Sequence, residues 1–237
     1  STKILGGVYF PDDAQVRNPR LVRALARAAT KLGTKFLNGY SVNQFLFDGN
    51  QVVGVKSSGG HIFGDQFVIA AGPWSHQVTN FLDVNLPVKP AKGQMIIAET
   101  AEPIINRPIH GLETYIVPRA DGKLWVGPTV EDAGFDDRTT LSGIHQILES
   151  AIQLVPALAK KTLLKTSAGL RPKGRGKPYL GRLTKYNNVI VASGHYKNGI
   201  LLAPITGKLI AELITQDKTS LSLEPFSINQ QNSSPTR

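Results

Sequence analysis

Three observations predict an α/β fold interrupted by an antiparallel β-rich region. Buried-looking β segments run into glycine turns and then helices at Phe67–Ser75 and again at Val189–Gly199. The stretch from Val88 to about Leu170 reads instead as strands separated by turns, with one amphipathic helix. The order is therefore α/β, mostly β, then α/β, so the chain is expected to cross between two domains more than once. On this reading residues 1–16 are a strand and crossover of the β-rich domain. Residues 17–87 and 171–226 form the two parts of the α/β domain, 88–170 the antiparallel β-sheet domain, and 227–237 a Ser/Asn/Gln-rich disordered tail.

In chain order, Ile4–Phe10 is β-like and stopped by Pro11-Asp12-Asp13. Asn18-Pro19 starts a helix, because proline suits the first turn and Leu21, Leu25, Ala28, Ala29 and Leu32 recur at helical spacing. Gly33 ends it. Short β segments follow at Phe36-Leu37, Ser41–Phe47 and Val52–Lys56, the last two joined by a hairpin turn at Asp48-Gly49-Asn50. Asp65–Gly72 reads as a buried strand, and Pro73-Trp74-Ser75 opens a helix. The β-rich region offers strands at Gly93–Glu99, Ile104–Ile109, Thr114–Val117, Leu124–Val130 and Leu163–Leu170. Between them lies a helix over Thr139–Val155, with Leu141, Ile144, Ile147, Leu148, Ala151, Ile152 and Val155 on one face. Val189–Ala192 is a short buried strand, and Gly199–Ile214 a helix apolar nearly all round and so expected to be buried.

Composition narrows the function classes. With 41% hydrophobic and 19% charged residues the chain is ordinary for a globular protein, and no apolar run approaches the ~18 residues that span a bilayer. Zero cysteines remove disulfides and thiolate metal sites, which fits a cytoplasmic setting. The five histidines lack metal-ligand spacing, so no metal is expected. The net charge of +10 invites a nucleic-acid partner, but the basic residues are spread along the chain and no aromatic-interleaved module accompanies them. A solvated basic surface, or one facing an acidic partner, is the better reading.

Four motifs carry chemistry. Ala70-Ala71-Gly72-Pro73-Trp74-Ser75 puts glycine where a strand meets a helix, which allows close approach of a ligand to free N–H groups, although on geometry alone a tight βα turn is the favoured reading. Ser193–Pro204 is a second such crossing, with Gly194 and Gly199 bracketing a polar turn and both expected in conformations that side chains disfavour. A purely structural turn does not explain why His195, Tyr196 and Lys197 crowd it. Arg171 ends a predicted strand before Pro172, a placement suited to bidentate carboxylate binding or to a surface arginine. Tyr115, in Tyr115-Ile116-Val117-Pro118-Arg119, either hydrogen-bonds a ligand or caps the sheet.

Gly169-Leu170-Arg171-Pro172, Lys177-Pro178-Tyr179-Leu180-Gly181 and above all Gly194–Pro204 resemble the glycine oxidase branch of the D-amino-acid oxidase family of flavoproteins. Tyr115–Arg119, Ala70–Ser75 and Asp13–Val16 match in order and spacing. The resemblance implies FAD as cofactor, a small amino-acid substrate and hydride transfer from its α-carbon to flavin. It further implies imine hydrolysis, reoxidation by dioxygen, and a place in thiamine synthesis. It assigns the substrate carboxylate to Arg171, its support to Tyr115, and Lys197 to a position where arginine is expected. It assigns cofactor contact to Val42, Ala71, Gly72, Trp74, Gly169, Arg171, Gly194, His195, Asn198, Gly199, Ile200 and Leu201. The α/β part would then be a partial FAD-binding domain and the β-rich part the substrate domain. The sequence contains no Gly-x-Gly-x-x-Gly, so a complementary N-terminal FAD-binding polypeptide is the expected partner, and a homo-oligomer is left open. Two other readings stand beside this one: a D-amino-acid dehydrogenase using an acceptor other than oxygen, and a non-catalytic subunit.

Overall fold

The computed structural model describes residues 4–111 and 113–228. The chain divides into two compact units, each assembled from two separated segments: 1–23 with 91–170, and 24–90 with 171–237.

The first unit is built on a five-stranded sheet in the order β6-β7-β8-β5-β9. Its strands are β5 (Lys89–Glu99), β6 (Ile109–His110), β7 (Tyr115–Pro118), β8 (Lys123–Gly127) and β9 (Thr162–Lys173). The pairs β5–β8, β6–β7 and β7–β8 are antiparallel, as alternating patterning and short turns require. One face packs against helix α3 (Leu141–Leu154): Ile96, Ala98, Ile116, Leu124 and Val126 meet Ile147 and Ala151 in a single core. A polar cluster anchors the start of α3. Thr140 caps it by accepting from Gly143 N at 3.2 Å, and buried Gln94 donates to the Thr140 hydroxyl at 3.0 Å and accepts from Thr140 N at 2.8 Å. Gln94 also donates to Glu131 at 2.8 Å, and buried Lys92 stands 3.6 Å from the same carboxylate.

The second unit holds two three-stranded sheets. β1 (Val42–Asp48), β2 (Gln51–Ser57) and β3 (Gly60–Phe63) form an antiparallel meander, its first hairpin turning at Gly49 with φ +56°. The other sheet, in the order β10-β11-β4, joins β10 (Tyr179–Arg182), β11 (Val189–Ser193) and β4 (Phe67–Ile69). Its core gathers Ile69, Leu82, Leu86, Tyr179, Val189 and Val191. Helix α2 (Ser75–Asn80) follows β4 through a short 3₁₀ turn, and helix α4 (Gly199–Gln216) follows β11. Helix α1 (Asn18–Lys31) ends at Gly33, φ +95°.

Several expectations are corrected. Ile4–Phe10 and Phe36-Leu37 form no strand; β-propensity needs a partner strand, and neither has one among the described residues. Ile104–Ile109 shrinks to the two residues of β6, and Asp65–Gly72 to the three of β4, whose Val68 is exposed because β4 lies at a sheet edge. β3 carries no alternation strong enough to mark it in the sequence. Leu141, assigned to the buried face of α3, is exposed because the first turn overhangs the core. None of α1's residues is buried, although its apolar stripe is real. α4 is not buried all round: only Thr206, Leu209 and Ile210 are, and Leu201 is 78% exposed. The window Tyr196–Gln216 has a mean hydropathy of 1.2, enough by length and composition alone to cross a bilayer, a test that core helices of soluble proteins also pass. The tail expected over 227–237 lies outside the described residues from 229 onward, and Ile228 packs on the second unit's core.

Candidate active site

One candidate site lies in the first unit, on the sheet face turned away from α3. Strand alternation sends Ile116 into the core and Tyr115 and Val117 to the opposite face, where Val117 pairs Trp125 and Tyr115 pairs Gly127. His110 pairs Tyr115, with ring centroids 5.5 Å apart. His110, Tyr115, Val117 and Trp125, with Gln15, Met95 and Arg119, line a cavity of about 250 Å³. Arg119 continues the same alternation and clamps the Ala14–Val16 segment over the sheet. Its Nη1 donates to Gln15 Oε1 at 2.7 Å and its Nη2 to Val16 O at 3.4 Å, while Gln15 Nε2 donates to Pro118 O at 3.0 Å. Burial, then the neighbouring charge of Arg17, pulls the Arg119 guanidinium below its ordinary range. Arg119 Nε and Trp125 Nε1 are both buried without an acceptor.

A separate candidate site lies in the other unit, where parallel strands β4 and β11 run side by side, Val189 opposite Phe67 and Val191 opposite Ile69. Their carboxyl ends open into turns at Gly72, φ +54°, and Gly194, φ +82°, conformations that glycine adopts freely. Buried hydroxyls tie the turns together: Ser75 Oγ donates to Ser193 Oγ at 2.7 Å, and Ser193 Oγ to Gly72 O at 3.1 Å. A Cβ on Gly194 would stand 3.0 Å from the ring of fully buried Tyr179, whose hydroxyl burial pushes up. Tyr196, also at positive φ, sits under two ammonium groups, Lys197 at 5.3 Å and Lys173 at 5.7 Å from its ring. His195 faces Thr206 Oγ1 at 3.0 Å, and burial lowers its pKa. Asn198 begins α4 without a side-chain cap, leaving first-turn N–H groups to a ligand or water.

The sequence-derived candidates divide accordingly. Gly72 is tied through the serine pair to Ser193, which precedes the Gly194–Leu201 segment, and Ala71 and Trp74 flank that turn in the chain. Gly199 is corrected: at φ −58° it is ordinary helix, and an added Cβ would meet only His195 Cβ at 3.6 Å. Val42 opens β1 in the other sheet of this unit. Gly169 and Arg171 lie on β9, and Arg171 Nη1 is buried without a partner. Tyr115 lines the cavity of the first unit. Sequence reasoning missed Ser193, visible only as one more small residue in a turn. It also missed Arg119 and Trp125 as cavity residues, although the two-residue spacing of 115, 117 and 119 carried the signal for Arg119.

Two parallel strands ending in glycine turns, with an uncapped helix after one of them, are an arrangement at whose strand ends α/β sheets take dinucleotides. A profile of the DAO family, described as FAD-dependent oxidoreductase, matches residues 1–213. The chain belongs to the DAO family of FAD-dependent oxidoreductases. It is 39% identical over 228 residues to the bifunctional protein ThiO/ThiG of Nostoc sp., covering 94% of this chain and 34% of that protein. It is 37% identical to the glycine oxidase of Pseudomonas aeruginosa, covering 92% and 61%. The crystal structure of glycine oxidase from Geobacillus kaustophilus superposes with a TM-score of 0.88 at 33% identity, over 93% of this chain and 60% of that one. This DAO-family chain thus spans about a third of the ThiO/ThiG protein and about three-fifths of the glycine oxidases.

Proposed function

We propose that this chain supplies the substrate-facing sheet and the flavin-facing turn of an FAD-dependent oxidase acting on glycine, sarcosine or small D-amino acids. The observation that carries the reading is Arg171: its Nη1 is buried without an acceptor, and among the described residues it has no ion pair. A guanidinium held that way is suited to a carboxylate brought by a ligand. The similarity to glycine oxidases and to ThiO/ThiG supports the amino-acid substrate and a setting in thiamine synthesis.

The residues fit the cofactor. Gly72 and Gly194 keep β-carbons away from a ligand crossing the strand ends, and a side chain at Gly194 would collide with Tyr179. Gly72, Trp74, Gly194, His195 and Asn198, with the first turn of α4, would hold FAD; the free N–H groups and Lys197 favour negative charge there. FAD, when bound, supplies the acceptor for two electrons from the α-carbon and passes them to dioxygen. Arg171 holds the substrate carboxylate, which restricts the orientation of the α-carbon. Ile200 and Leu201, exposed at the start of α4, offer an apolar surface that excludes water from the reacting centre. A dinucleotide-binding segment completes the site, in this polypeptide or a second one. Edge strand β4, with β11 on one side only, supports that arrangement.

The test uses the full protein supplied with FAD. Glycine, sarcosine and D-alanine should each reduce the bound flavin under nitrogen and yield peroxide in air. Protein that retains no flavin, or flavin that none of the three reduces, would overturn the proposal.

A further inference from the structure

The cavity beside Tyr115 is larger and more cationic than an amino acid without a side chain needs. At about 250 Å³ it has the volume of roughly eight waters at about 30 Å³ each. No carboxylate is among its lining residues. Arg119 supplies a positive charge that no acidic group neutralises directly, because Asp121 is taken by Arg17 at 2.7 Å and Arg119 has no ion pair among the described residues. Its two terminal nitrogens are fixed by Gln15 and Val16, which holds the guanidinium against the sheet. Its Nε and the indole N–H of Trp125, whose ring lies 5.7 Å from the guanidinium carbon, both lack an acceptor. The wall therefore combines a guanidinium that has no ion pair among the described residues with unmet donor capacity, and His110 and Tyr115 add polar edges.

We infer that this cavity receives a second carboxylate of the substrate, so that the preferred substrates are amino dicarboxylic acids, with Arg119 as the residue that reads the extra charge. The inference rests on the oxidase reading above and names its substrate class. Met95, Val117 and Pro108 in the same wall make a neutral, apolar substituent the competing occupant.

Two measurements on the FAD-loaded protein separate the possibilities. The first compares kcat/KM for iminodiacetate and D-aspartate with that for N-propylglycine and D-norvaline, which are similar in size and uncharged at that end. The acidic members should be favoured by about tenfold or more. Arg119→Gln should bring that ratio to about one through KM for the acidic substrates, and Arg119→Lys, which keeps the charge, should retain most of it. The second follows the indole N–H signals of the two tryptophans by NMR, with Trp125 identified by Trp125→Phe. Iminodiacetate should shift the Trp125 signal far more than sarcosine does. A neutral-favouring ratio with an unmoved Trp125 signal overturns this inference and leaves the oxidase reading intact. A Trp125 shift with no turnover of any amino acid upholds the cavity and overturns the oxidase reading.

Discussion

Arg171 and His195 show how one side chain's surroundings set its chemistry. Arg171 keeps a buried nitrogen without an acceptor, so a ligand carboxylate gains a charge-assisted contact that no protein group offers in its place. Arg171→Ala should weaken substrate binding by about 2–4 kcal/mol, read as a higher KM with a smaller change in kcat. Near-normal steady-state kinetics would remove Arg171 from the site. His195 is half-buried against Thr206, and burial holds its pKa below the ordinary value of 6.5. The unfolded chain therefore takes up this proton first as pH falls. The stability linked to His195 is complete above about pH 6.5 and is lost as pH drops towards the lowered folded value. Melting temperatures should fall between about pH 7.5 and 5.5, and His195→Asn should fall less. Parallel declines in the two proteins would refute the linkage.

Helix α3 makes the corresponding point for an element. Its stripe of Ile147 and Ala151 is what the sequence periodicity announces, yet its start is fixed by residues far away in sequence. Thr140 and Gly143 close on Gln94, which Glu131 also holds, and a Cβ on Gly143 would run into Gln94 Nε2. Helix propensity alone would favour Gly143→Ala by about 1 kcal/mol. The expected outcome is the reverse: the alanine displaces a fully buried amide from its partners, and the melting temperature drops. Gln94→Ala in the same chain should make the Gly143→Ala step nearly neutral, and thermal denaturation of the four proteins in that cycle decides it.

For the molecule as a whole, the discontinuity of the two units matters most. The core of the second unit joins Leu82 and Leu86 from one segment to Tyr179, Val189 and Val191 from the other, and among the described residues β4 pairs only with β11. A chain ending at Gly174 should therefore lose amide protection at Val68 and Ile69. The amides of β7 and β8, whose core lies within residues 91–170, should keep theirs. Hydrogen exchange checks this, and retained protection in β4 would mean that the segments fold separately.

Much of this was legible in the sequence because it depends on local physics. The hairpin at Asp48-Gly49-Asn50, the apolar face of α3, the strand through Tyr115, and the glycine crossings at Gly72 and Gly194 all follow from turn chemistry, periodicity and backbone freedom. The order α/β, β, α/β also follows, since each segment's period announces its class. What lies beside each segment was decided only by the tertiary structure. Ile4–Phe10 had the residues of a strand and no partner, and α4 had the composition of a core helix but keeps Leu201 in water. Ser193 found Ser75 across 118 positions, and Arg119 found Gln15 across 104. Propensity is a property of a few neighbouring residues. Burial, pairing and an unmet hydrogen bond belong to groups that the folded chain brings together.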